Sequence, residues 1–119
     1  DKLNYSGAHN PLIVIRDKQV IKVKADQQPI GTYIKPEDFT NHTLEIQKDD
    51  MIYIFTDGFV DQFGGEKGKK YRLKNLLTLL TSISTKTLGE QNSILKQEFA
   101  SWKGTEDQID DVCVMGVRV

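Results

Sequence analysis

Apolar and polar positions follow two different periods along the chain, and the change of period divides it. In the first half the period is two, or the apolar run is continuous. Asp1-Lys2-Leu3-Asn4-Tyr5-Ser6 reads as a strand with no preceding cap or turn. Leu12-Ile13-Val14-Ile15 is apolar throughout, whereas Val20-Ile21-Lys22-Val23 alternates. Arg16-Asp17-Lys18-Gln19 between them predicts a tight hairpin, with the continuous run as the more central strand. Thr43-Leu44-Glu45-Ile46 alternates again. Lys48-Asp49-Asp50 then predicts a turn into Met51-Ile52-Tyr53-Ile54-Phe55-Thr56, whose residues are all apolar, aromatic or β-branched. That run predicts a strand buried on both faces.

In the second half the period lengthens to that of a helix. Leu73, Leu76, Leu77, Leu80 and Ile83 fall on one helical face. Thr87-Leu88-Gly89-Glu90 has the form of a capping box and opens a second helix. Its stripe is Leu88, Leu95, Phe99 and Trp102, and it ends at Gly104. Val112 to Val119 is apolar and strand-like. Ala25 to His42, with Pro29, Gly31 and Pro36, has no period and reads as a surface connection. Gln62 to Lys70 reads as a glycine and lysine loop. The order of five strands, two helices and one strand predicts an α+β domain. Its antiparallel sheet forms a meander with both helices on one face.

Composition narrows the function classes. A chain of 119 residues holds one core. Sixteen basic residues against seventeen acidic give a net charge of -1, which points to neither nucleic acid nor an anionic membrane as the main partner. No apolar run reaches the length of a membrane span and no signal peptide opens the chain, so a cytoplasmic setting is expected. The single cysteine, Cys113, lies in an apolar run and is expected to be a buried thiol.

Chemistry concentrates at two strand ends. Asp57-Gly58 ends one buried strand, with Asp61 close behind, and Asp110-Asp111 precedes another. If those strands are antiparallel neighbours, the carboxylates meet at one edge of the sheet. Oxygen-only clusters of that kind suit Mg²⁺ or Mn²⁺, and two such ions can activate a water and clamp a phosphoryl group. An Asp-Gly pair is also a common turn, and acids at strand ends often simply face solvent. Both readings stay open on the pattern alone. His9, in Gly7-Ala8-His9-Asn10-Pro11, suits a structural turn, and His42 has no partner at ligand spacing. Gly64-Gly65 with Lys67, Lys69 and Lys70 matches no P-loop pattern.

Taken in order, Tyr5-Ser6-Gly7-Ala8-His9-Asn10-Pro11, Pro29-Ile30-Gly31, Asp49 to Gly58 with Asp61, and Gln108-Ile109-Asp110-Asp111-Val112 form a set. That set resembles the C-terminal part of the SpoIIE-type serine phosphatases, the bacterial branch of the PPM (protein phosphatase 2C-like) superfamily. The resemblance implies about half of a PPM-type αββα sandwich with a binuclear Mn²⁺ or Mg²⁺ centre. It implies hydrolysis of phosphoserine or phosphothreonine on a signalling protein, typically an anti-sigma-factor antagonist of the STAS type, under an upstream sensor or regulatory domain. Asp57 and Asp110 match metal ligands, and Asp61 matches an acid that helps hold a weaker ion. Gly58 and Asp111 would support them, with Asp111 orienting Asp110 or a bound water. Lys67, Lys69 and Lys70 would lie on a substrate flap.

One part of the pattern is missing. The family's bridging aspartate comes from an Asp-x-x-Gly-His-Gly segment, which does not occur in this sequence. Residues 1–119 are therefore expected to be the C-terminal portion of a catalytic domain, a single partial domain that is inactive alone and prone to self-association. The rival expectation is a non-catalytic, phosphatase-like binding or regulatory module.

Overall fold

Asp17 (φ 49°) and Lys18 (φ 64°) turn the chain back on itself in the computed structural model, which describes residues 1–119. Two successive left-handed residues are what a two-residue hairpin needs to match strand twist. They join β2 (Leu12–Arg16) to β3 (Gln19–Val23), pairing Leu12 with Val23 and Arg16 with Gln19. β1 (Lys2–Tyr5) precedes them, and β4 (His42–Glu45), β5 (Met51–Phe55) and β8 (Val114–Arg118) follow. The chain divides into two units, residues 1–54 with 115–119, and residues 55–114.

In the first unit the sheet order is β3-β2-β5-β8. The two continuous apolar runs take the central places: Ile13 lies opposite Tyr53 and Ile15 opposite Met51, and all four are buried. Val119 donates its N–H to the Asp50 carbonyl at 2.9 Å, so the end of β8 lies beside the start of β5 and the pair is antiparallel.

The expected meander holds at the β2–β3 hairpin but not at β4. That strand returns to pair with β1, from Lys2 opposite Glu45 to Tyr5 opposite His42, in a separate two-stranded sheet. The length of the preceding connection permits the return. It is ordered by polar side chains that carry no periodic signal. Asp26 accepts from Thr40 N (2.6 Å) and Thr40 Oγ1 (2.9 Å), and the Gln28 amide bonds both ways to the Glu37 backbone. Leu3, Tyr5, Ile21, Leu44 and Ile52 pack against buried Leu12, Val14 and Val23. His9 (φ 63°) is a turn residue, its N–H given to the Asp26 carbonyl.

The second unit holds α1 (Asp57–Val60), β6 (Phe63–Gly64), β7 (Lys69–Lys70), α2 (Leu73–Ile83) and α3 (Leu88–Lys103). Leu76, Leu80 and Ile83 bury the expected face of α2. At α3 the capping box forms in full: Glu90 N donates to Thr87 Oγ1 and Thr87 N to Glu90 Oε2. Phe59, Tyr71, Phe99 and Trp102 form a chain of ring contacts with centroids 5.1 to 5.3 Å apart, the geometry such rings prefer. The expected glycine and lysine loop is a short hairpin, with Phe63 opposite Lys70 and Gly64 opposite Lys69.

Cys113 is exposed, contrary to expectation. Its neighbours Val112 and Val114 are the half-buried positions, and the alternation of an extended segment turns the thiol outward.

Candidate functional site

Thr56 leaves β5 in an extended conformation (φ -87°, ψ 166°) and occupies the N-cap position of α1, yet its side chain caps nothing there. The hydroxyl is committed across the chain instead. Thr56 Oγ1 donates to the Asp111 carbonyl at 3.0 Å and accepts from Cys113 N at 2.9 Å. Thr56 N donates to the Cys113 carbonyl at 3.0 Å. Asp57 and Gly58 follow at once. Gly58 is buried, and a Cβ there would stand 2.1 Å from the Asp111 carbonyl oxygen. Glycine is required because the Asp111 backbone fills the space that any other side chain would take.

The Asp57-Gly58 and Asp110-Asp111 segments therefore lie against each other. The side chains of Asp57, Asp110 and Asp111 are exposed. The loop carrying Asp110 has its own local bonds: Asp111 N donates to Asp110 Oδ1 at 2.7 Å, and Gln108 Nε2 donates to the Asp110 carbonyl at 2.9 Å. The Asp110 carboxylate is held by its neighbour's backbone rather than by its neighbour's side chain.

Asp61 is separately engaged. Lys70 Nζ lies 3.6 Å from Asp61 Oδ1 and 5.8 Å from the Phe63 ring centre. This ion pair is about half exposed on both sides. Lys67, Lys69 and Lys70 are all exposed.

These donors fit a hard divalent ion in type, since all are carboxylate oxygens. They fall short in number: no group of three or more His, Cys, Asp or Glu side chains comes together as a cage. The groove beside Cys113 is lined by Phe59, Leu95, Phe99, Val112 and Val114 with Asn92 and Lys96, and offers no carboxylate. Two contributors escaped the sequence reading. Thr56 looked like one more β-branched strand residue, and Gln62 like a loop residue, although it is wholly buried.

An antiparallel sheet, two helices and an Asp-Gly corner against an Asp-Asp loop match the fold of PP2C-type phosphatase domains. The chain belongs to the SpoIIE family, whose model, stage II sporulation protein E, matches residues 1–119. It is similar to the SiaA-PP2C domain of Pseudomonas aeruginosa, with a TM-score of 0.92 and 26% identity, covering 99% of this chain and 46% of that one. The PP2C phosphatase domain of SpoIIE from Bacillus subtilis, solved with a fragment of its regulatory domain, shares the fold. There the TM-score is 0.75 and identity 22%, over 98% of this chain and 34% of that one. A Mn-presoaked structure of the Bacillus subtilis SpoIIE phosphatase domain gives a TM-score of 0.65 at 20% identity, over 100% of this chain and 56% of that one. The chain thus spans about half the length of the SiaA domain. None of the curated proteins matches it in sequence. No helix is long and apolar enough to cross a membrane.

Proposed function

We propose that residues 1–119 are the C-terminal portion of a metal-dependent protein serine/threonine phosphatase domain. It acts on phosphoserine or phosphothreonine of a bacterial, cytoplasmic signalling protein, with an antagonist of the STAS type as the favoured substrate. The observation that carries this reading is the contact of Thr56-Asp57-Gly58 with Asp111 in a chain of the SpoIIE family. Asp57 and Asp110 serve as ligands to Mn²⁺ or Mg²⁺, and Asp61 contributes to a weaker ion after releasing Lys70. Gly58 and Asp111 keep the two ligand segments in contact. Lys67, Lys69 and Lys70, on the hairpin that follows Asp61, face the phosphoprotein. When bound, the ions supply an activated water and neutralise phosphoryl charge.

The bridging aspartate comes from the other half of the domain, downstream of a sensor or regulatory module. Without it, two carboxylates do not repay the dehydration of Mg²⁺, and the isolated chain is inactive. The non-catalytic module is favoured by one observation, the absence of a three-acid cage.

The assay separates the two readings. With Mn²⁺ and a phosphoester, the 119-residue chain shows no turnover above background. A protein extended upstream through an Asp-x-x-Gly-His-Gly segment does turn over, and loses activity on Asp57→Asn or Asp110→Asn. An extended protein that is inactive, or indifferent to Asp57→Asn, establishes the module instead. Hydrolysis by the chain alone that disappears on Asp57→Asn overturns the half-site.

A further inference from the structure

Gln62 is 0% exposed, in a segment that reads as polar loop. Its amide can point only one way. Nε2 donates to the Phe63 carbonyl and to the Asp107 carbonyl, both at 2.9 Å. Carbonyls only accept, so the nitrogen must be on that side. The consequence is that Oε1 is buried with no donor in reach. A methionine would fill the same space without that orphaned acceptor. What methionine could not supply is the pair of N–H bonds, one of which crosses to Asp107.

The backbone of Gln62 is equally occupied. Its carbonyl accepts from Trp102 Nε1 at 2.8 Å and from Tyr71 N at 3.0 Å. The following residues close over the same tryptophan. Gly65 N donates to the Trp102 carbonyl at 2.9 Å, and a Cβ at Gly64 would lie 1.9 Å from that oxygen. Gln62 therefore joins the end of α3, the start of the β6–β7 hairpin and the loop leading to Asp110.

The other end of that loop is the Thr56 contact. Thr56 holds Asp111 and Gln62 holds Asp107, so the segment 56–62 grips the loop 107–111 at both ends. Asp57 and Asp61 lie inside one segment, and Asp110 inside the other.

We propose that Gln62 is a positioning residue: with Thr56 it clamps the 107–111 loop and fixes Asp110 against Asp57. Its consequence for metal rests on the reading of these aspartates as ligands. Groups that orient metal ligands through hydrogen bonds change affinity roughly 10- to 100-fold when lost.

The test uses the 119-residue chain by NMR, with Gln62→Met to remove the bonds at nearly constant volume. Thr56→Ser keeps its hydroxyl and serves as the conservative control. In Gln62→Met the backbone order parameters of residues 107–111 fall from about 0.85 towards 0.6 or below, while those of β2 and β5 hold. The Mn²⁺ concentration that half-broadens the Asp57 and Asp110 amides rises roughly tenfold. Thr56→Ser changes neither. In the unsubstituted chain, the Gln62 side-chain amide protons exchange more slowly than those of exposed Gln97, a measurement that needs no variant.

Unchanged order at 107–111, a uniform loosening that includes β5, or fast exchange at the Gln62 side chain overturns the clamp. The order parameters decide the clamp whether or not Mn²⁺ broadens amides of the unsubstituted chain, whose affinity is low without the bridging aspartate.

Discussion

Asp50 stands one residue before the central strand with both carboxylate oxygens bonded. Arg16 Nε reaches Oδ1 at 2.9 Å, one Arg16 terminal nitrogen reaches Oδ2 at 2.7 Å, and Gln47 N donates to Oδ2 at 2.9 Å. The side chain is 1% exposed, so a planar, two-point partner is what makes the charge tolerable there. The hydrogen bonds from Arg16 hold the carboxyl below its ordinary range, against an opposing push from burial. A carboxyl depressed in the folded state contributes stability that is complete above its unfolded value of about 4 and is lost as pH falls through the folded value. Asp50→Asn should therefore destabilise the chain by about 2 kcal/mol at pH 7, the scale of a charged hydrogen bond. Denaturant melts below pH 4 should show the difference from the unsubstituted chain shrinking. A constant difference down to pH 2 would remove Asp50 as its cause. Gly58→Ala tests the site's contact directly. Its Cβ meets the Asp111 carbonyl, so overpacking of about 1–3 kcal/mol is expected, with the largest amide shifts at residues 110–113. None of this was written in the pattern. Lys48-Asp49-Asp50 reads as a turn because adjacent acids suit turns, and nothing local says that Asp50 faces an arginine 34 positions away.

At the scale of elements, the periodic signals were the legible ones, because a strand or helix writes its buried face into its own sequence. Thr87→Ala shows how local such a signal is. It removes the bond from Glu90 N to Thr87 Oγ1 and leaves the one from the residue 87 backbone N–H to Glu90 Oε2, so about 1 kcal/mol of stability should go with the lost cap. That loss corresponds to a fall in Tm of about 4 °C in a calorimetric scan. A change below one degree would mean that packing alone holds the first turn of α3. That turn has little packing, since Leu88, the first position of the expected apolar stripe, is 48% exposed. The two-residue strands β6 and β7 carried no period to detect. They form because Gly64 and Gly65 admit Trp102 and because Gln62 and Tyr71 bond through their backbones. The β1–β4 pairing was equally hidden, since register between distant strands is decided by the surfaces they share rather than by either strand alone.

At the scale of the molecule, the sheet of the first unit is finished on one face and bare on part of the other. A Cβ at Gly116 would touch the Tyr53 and Met51 side chains, so residue 116 faces the side of β5 where those two are buried. By alternation Met115 and Val117 face the opposite side, with Ile54. Ile54 is 43% exposed, Met115 54% and Val117 51%, and β8 is an edge strand. An apolar row on an unpaired edge is a template for association, and Arg118 is the one charged residue in the strand to oppose it. The chain should elute later than a dimer only at low concentration and shift to larger size as concentration rises. Met115→Lys with Val117→Lys, which places two charges in that row, should return it to a monomer without lowering Tm by more than a surface change does. A monodisperse monomer at high concentration would show that this face does not self-associate. On the proposed reading of residues 1–119 as a partial domain, the same double substitution should then weaken an extended, active protein rather than help it. The two results assign the row of apolar side chains either to a second copy or, on that reading, to the rest of the proposed domain.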